Sequence, residues 1–244
     1  MRRFGVVLIV AALFLNLNGC KADRASRESS TIDSRTTDLP KEDKAPATSA
    51  TVVDSIKNPQ DKRPLVVAFG DSLTAGYGTE AGQTYPDYLQ AALDAHGYKY
   101  RVVNAGISGN TTKDGVERVS RIVAMKPAVV IVEFGGNDGL RGLRIEDTRA
   151  NLDKILDILK SSGTKVVLTG ITLPPDYGPD YINQFNATYA LLAQKYRVPM
   201  LPFLLKGVFG VDGMMQADRT HATASGNKIV AGNVLPLVTP LLTK

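Results

Sequence analysis

The 244-residue sequence has no tryptophan, a single cysteine and only two histidines. One cysteine excludes an intramolecular disulfide and any zinc site built on several thiolates. No His/Cys/carboxylate cluster has the spacing of a metal site, so neither a metal nor another cofactor is expected. The phosphate-cradling patterns G-x-x-x-x-G-K-[ST] and G-x-G-x-x-G are absent too. The net charge of +5 is spread thinly, without the basic block or stripe that tracks a phosphate backbone. Nucleic acid is therefore not an expected partner. No apolar run approaches the ~20 residues needed to span a bilayer.

What is present falls into three units. Met1-Arg2-Arg3 is a short positive region, and the apolar run from Phe4 to Leu15 has the length of an export signal's core. It leads into Leu17-Asn18-Gly19-Cys20, which resembles the lipobox of bacterial lipoproteins. That resemblance implies a signal peptide over 1–19 and a lipid on Cys20. It also implies an exported protein of the bacterial cell envelope, held on a membrane through its N-terminal lipid. Its domain would then lie in the periplasm or at the outer membrane. Residues 20–63 are rich in Ser, Thr, Asp, Lys, Arg and Pro, without helical or strand period. Such a segment buries too little to offset its ordering entropy and is expected to be a disordered tether.

From Pro64 to Lys244 the texture is that of a folded domain. Leu65 to Phe69 is a continuous apolar run ending in Gly70, the pattern of a strand buried on both faces. Similar runs follow at 100–105, 128–134, 165–169 and, more weakly, 200–203. Helical patterns separate them: one from Pro86 to a Gly97 cap, then 112–125, 145–162, 181–196 and 223 to about 242, the last with a kink expected at Pro236. Alternating strands and helices predict an α/β domain. It should have three layers, with a flavodoxin-like five-stranded parallel sheet covered on both faces. Ligands of such sheets sit beyond the carboxyl ends of the strands.

That edge collects a notable set of side chains. Ser72 follows the first strand, as a nucleophile or merely a turn residue. A nucleophilic serine needs a base, and His96 is placed at a helix end on the wrong edge of the sheet. His221 follows the fifth strand, on the edge of Ser72. Asp218, three residues earlier, could fix its tautomer or simply cap a turn. Gly109, after strand two, could present its backbone N–H to an oxyanion. Asn137, after strand three, could offer its side-chain amide. Each of these has an alternative as a turn residue tolerating positive φ. G-x-S-x-G is absent around Ser72, which argues against an α/β-hydrolase.

Four blocks in this order resemble the GDSL/SGNH hydrolase family: Gly70-Asp71-Ser72-Leu73, Gly109, Gly135-Gly136-Asn137-Asp138 and Asp218-x-x-His221. The segments 135–142 and 173–178 are similar to its thioesterase I and arylesterase branch. The resemblance implies a serine ester hydrolase acting on acyl esters, thioesters or lysophospholipids. Ser72, Asp218 and His221 would be its triad, with an oxyanion hole of Ser72 N–H, Gly109 N–H and Asn137. Apolar residues in 139–143 and 173–178 are expected to border the site and favour an acyl chain. Ala222 stands where many members have Pro, which is expected to loosen the His221 loop. Two other readings are a carbohydrate O-deacetylase of the same fold and a catalytically silent lipoprotein module.

Overall fold

The computed structural model describes residues 61–244. The expected signal peptide and Cys20 lie outside the described residues, as does the tether up to residue 60. Asp61 and Arg63 are described. Arg63 pairs with Asp61 at 2.8 Å and donates to the Tyr100 carbonyl at 3.3 Å. Among the described residues, Asp61 and Arg63 ahead of Pro64 thus already make contacts of their own.

Five strands form one sheet in the order β2-β1-β3-β4-β5, every neighbouring pair parallel. They are β1 (Leu65–Gly70), β2 (Arg101–Asn104), β3 (Val129–Glu133), β4 (Lys165–Thr169) and β5 (Met200–Leu201). This is the flavodoxin-like topology expected from the alternation of apolar runs and helical patterns. The central strands β1 and β3 are buried almost throughout, which requires helices on both faces.

Those helices are α1 (Ser72–Ala75), α2 (Tyr85–Ala95), α3 (Thr112–Ala124), α4 (Gly136–Leu140), α5 (Ile145–Ser161), α6 (Pro179–Tyr196) and α7 (Ala224–Val238). Helix α2 packs on α7, while α3, α5 and α6 pack side by side. Right-handed crossovers place these two groups on opposite faces of the sheet. Capping boxes start α2 (Thr84 with Asp87) and α3 (Thr111 with Asp114), each satisfying two otherwise orphaned N–H groups. Along α5, Ile145, Leu152, Ile155, Leu156 and Leu159 are buried on one stripe.

Two differences from the sequence reading bear on the site. The last helix stops at Val238, two residues after the interior Pro236, and a 3-10 turn (Thr239–Leu241) replaces its expected end. Two short helices, α1 and α4, also follow β1 and β3 directly. Four or five residues are too few to produce a hydrophobic period, yet these turns carry Ser72 and Asn137.

Candidate active site

Strand β1 ends at Gly70, and Asp71 caps α1 by accepting a hydrogen bond from Leu73 N at 3.1 Å. Ser72 thereby becomes the first helical residue, whose N–H has no partner within the helix. Its Oγ lies 2.8 Å from His221 Nε2. On the other side of the ring, His221 Nδ1 lies 2.7 Å from Asp218 Oδ2. An ionised carboxylate can only accept, so Nδ1 carries the proton and Nε2 accepts from the Ser72 hydroxyl.

The Asp218–His221 arm sits on a loop after β5 that little regular structure supports. It is tied down locally instead. Asp218 Oδ1 accepts from the backbone N–H of Thr220 (2.9 Å) and of His221 (3.0 Å). Burial works against the ionised form of Asp218. The hydrogen bonds from the His221 ring and from these amides outweigh it and hold the carboxyl below the usual range. Gln216 N donates to the His221 carbonyl at 2.8 Å. The Gln216 side-chain amide donates to the carbonyls of Tyr77 (2.7 Å) and Ala222 (2.9 Å). A bridge between Met215 and Ala222 closes this small hairpin. The slackness expected from Ala222 is thus offset by Gln216, which sequence reading missed. The Tyr77 ring packs against His221 with centroids 4.7 Å apart.

Asn137 stands on α4, immediately beyond β3. The turn into α4 needs Gly135, at φ 117° and with the Tyr189 hydroxyl where a Cβ would be. Asn137 Nδ2 donates to the Asn110 carbonyl at 2.9 Å and to Asp71 Oδ2 at 3.1 Å. Gly109 takes φ 81° with open space around its Cβ position, so conformation rather than crowding calls for glycine. Arg141, beyond α4, donates to the Gly109 carbonyl at 2.9 Å and fixes that peptide. The structure therefore brings Ser72, Gly109, Asn137, Asp218 and His221 to one edge. His96 stays exposed at the end of α2, bonded to the Ala92 carbonyl of its own helix.

Beside Ser72 runs an apolar groove lined by Leu73, Leu140, Ile171, Leu173, Phe203 and Phe209. Leu140 and Leu173 come from the two segments expected there. Phe203 and Phe209, after β5, were not anticipated. The Tyr177 hydroxyl donates to the Leu140 carbonyl at 2.7 Å and joins the two bordering segments.

Sequence reading also passed over the floor of the site. Asp71 and Glu133 are both buried, at 2% and 1% exposure. Burial pushes both carboxyls above their usual range. The available signal was a lone acid closing the otherwise apolar stretch from Val129 to Phe134.

Fold and site together define a doubly wound α/β protein with a Ser–His–Asp hydrogen-bonded chain at the carboxyl edge of its sheet. A match to the GDSL-like lipase/acylhydrolase family spans residues 68–229, and the chain belongs to that family. It is 43% identical over 178 residues to Esterase TesA of Pseudomonas aeruginosa, covering 72% of this chain and 89% of that one. It is 36% identical over 178 residues to the thioesterase 1/protease 1/lysophospholipase L1 of Escherichia coli K12, covering 72% and 84%. The crystal structure of TesA superposes with a TM-score of 0.71 at 42% identity, covering 73% of this chain and 99% of that one.

Proposed function

We propose that this enzyme hydrolyses acyl esters through an acyl-enzyme on Ser72. The observation that carries the reading is the unbroken chain Ser72 Oγ, His221 Nε2, His221 Nδ1, Asp218 Oδ2, at 2.8 and 2.7 Å. His221 takes the hydroxyl proton as Ser72 Oγ bonds to the ester carbonyl carbon. Asp218 stabilises the imidazolium that forms. The oxyanion is held by the N–H groups of Ser72 and Gly109 and by the Asn137 amide. As the tetrahedral intermediate collapses, the ester C–O bond breaks and the leaving oxygen takes the proton from His221. Water then gives a proton to His221, attacks the acyl carbon and releases Ser72 with its hydroxyl restored.

The apolar groove supports an acyl chain longer than acetyl, in keeping with relatives named esterase, thioesterase and lysophospholipase. The substrate class is thus an acyl ester of a small molecule or a lipid. Export, lipidation of Cys20 and a 20–63 tether remain part of the reading, on the sequence pattern alone. They would hold the domain near a membrane of the cell envelope.

Hydrolysis of p-nitrophenyl esters of graded chain length, by the full chain and by Ser72→Ala, tests this reading. Activity rising from acetyl to medium chains and vanishing in the variant is expected. Preference for acetyl would favour a sugar deacetylase, and a fully active Ser72→Ala would remove the serine mechanism.

A further inference from the structure

The buried pair Asp71 and Glu133 lies directly beneath the oxyanion site and takes no part in the proton relay between Ser72 and His221. Glu133 is the last residue of β3, in register with Gly70 of β1. Gly70 is required there for space, since a Cβ would collide with Glu133 Oε2 and Thr74 Oγ1. Glu133 Oε2 accepts from Thr74 Oγ1 at 2.8 Å and from Asp71 N at 3.2 Å. Its other oxygen, Oε1, is buried and receives no hydrogen bond from any described residue. Asp71 and Glu133 are thus joined directly through the Asp71 N–H, and both carboxyls are buried.

An ionised Glu133 would leave Oε1 a buried acceptor with no donor, at a substantial desolvation cost. A protonated Glu133 uses Oε1 as a donor, and the adjacent Asp71 carboxyl, with lone pairs to spare, is an acceptor for it. Asp71 is occupied differently: Oδ1 accepts from Leu73 N, and Oδ2 from the Asn137 amide. We propose that Glu133 is a positioning residue that works as a neutral acid, donating its proton to Asp71 and so regulating how tightly Asp71 holds the Asn137 amide.

The consequence for the reaction follows from counting donors. Asn137 has two amide hydrogens, and at rest one goes to the Asn110 carbonyl and one to Asp71. To stabilise an oxyanion, Asn137 must shift one hydrogen from Asp71 to substrate. A carboxylate whose Oδ2 has no other donor would resist giving it up. It would also set a second bare charge beneath the developing oxyanion. The Glu133 proton supplies the replacement donor and keeps the pair at one negative charge. Burial raises both carboxyls, which favours a proton held between them.

Other titratable groups around the pair are few. Tyr85 of α2 approaches through Thr74 at 3.2 Å, and Tyr189 of α6, Asp138 of α4 and His221 also face this region. Arg118 of α3 donates to the Gly70 carbonyl at 3.1 Å, and burial lowers it to about 10. The test must therefore separate Glu133 from Arg118 and the tyrosines.

This inference rests on Asn137 as an oxyanion donor. The experiment measures kcat and KM of the full chain on p-nitrophenyl butyrate from pH 5 to 10, for wild type, Glu133→Gln, Glu133→Ala and Asn137→Ala. Glutamine mimics the protonated acid, since its amide donates to Asp71 while its oxygen still accepts. Glu133→Gln should keep kcat within about threefold at pH 7 and lose the alkaline decline expected of wild type. Glu133→Ala should lose roughly ten- to hundredfold in kcat, less than a missing oxyanion donor, with KM little changed. Infrared difference spectra of wild type against Glu133→Gln at pH 7 should show a protonated carboxyl stretch, whatever the fate of the alanine variant. A Glu133→Gln enzyme crippled at pH 7, an alkaline limb unchanged by that substitution, or no protonated carboxyl band would each overturn the proposal. Full activity in Asn137→Ala would instead overturn the oxyanion reading beneath it. Loss there with an unchanged alkaline limb in Glu133→Gln would sink the role of Glu133 alone.

Discussion

The two halves of this site are built on opposite physical terms. Its inner half, Ser72 and Asn137 on the floor of Asp71 and Glu133, hangs directly from the ends of β1 and β3. It is nearly dry. Its outer half, Asp218 and His221, rides on a loop after the two-residue strand β5, and the Asp218 side chain is 39% exposed. Inside, position is inherited from strand register, and each charge must find a partner because water cannot help. Outside, water screens charge, and position comes from short-range ties such as Gln216 and the Asp218 carboxyl. The inner half is therefore where electrostatics are strong, and the outer half is where geometry is most easily lost.

Deleting the outer half's base shows how much chemistry depends on that loop. His221→Ala should lower kcat on p-nitrophenyl butyrate by about 10⁴-fold or more, while the folded domain stays intact. Stopped assays with enough enzyme to see that residue of activity would check it. A loss under about a hundredfold would mean that Ser72 finds another base.

A second prediction separates the halves by their response to pH. The folded-state values of Asp71 and Glu133 are raised, so the stability they contribute is fully present below the ordinary carboxylate range. It is lost as pH rises through those raised values. Wild type should therefore lose stability as pH rises from the ordinary carboxylate range through about 6 and above. Glu133→Gln, with one titration removed, should lose measurably less. Urea midpoints across this range would decide it. Parallel curves would place the ionisation elsewhere.

The same contrast explains what was legible in the sequence. Strands β1 and β3 announce themselves as continuous apolar runs, and the five reacting or donating residues stand just beyond such runs or in a short Asp-x-x-His motif. Strand register then carried Ser72 and Asn137 to one edge without further information. Asp71 and Glu133 were hidden because a sequence does not show which polar atoms share a buried volume. Gln216 was hidden because its partners, Tyr77 and Ala222, are joined only by the folded loop. Phe203 was expected inside the fifth strand and became free to line the groove only because β5 is two residues long.

Gln216 offers a milder way to break the outer half. Its amide joins the His221 hairpin to the Tyr77 carbonyl, on the segment that follows Ser72. Gln216→Ala should lower kcat by about tenfold, the scale on which sub-ångström misplacement acts, with little change in KM. Glu at this position keeps the length and loses the donor, so Gln216→Glu should resemble the alanine variant. An unchanged kcat in both would show that the Met215–Ala222 bridge suffices.

The smallest effect expected is the acid response of Asp218, and its sign is opposite to that of the buried pair. Asp218 is held below its usual range, so its contribution to stability is present above about pH 4 and lost as pH falls through the lowered folded value. Because its side chain is more than one third exposed, solvent screens most of that contribution, leaving well under ~1 kcal/mol. Asp218→Asn should therefore flatten the fall in urea midpoint between pH 4 and pH 2 only slightly. The same substitution should cost far more in kcat, since an amide no longer stabilises the imidazolium and can present its N–H to the wrong ring tautomer. A large change in acid stability would mean that Asp218 is as dry as Asp71, and the division of the site into two electrostatic halves would fail.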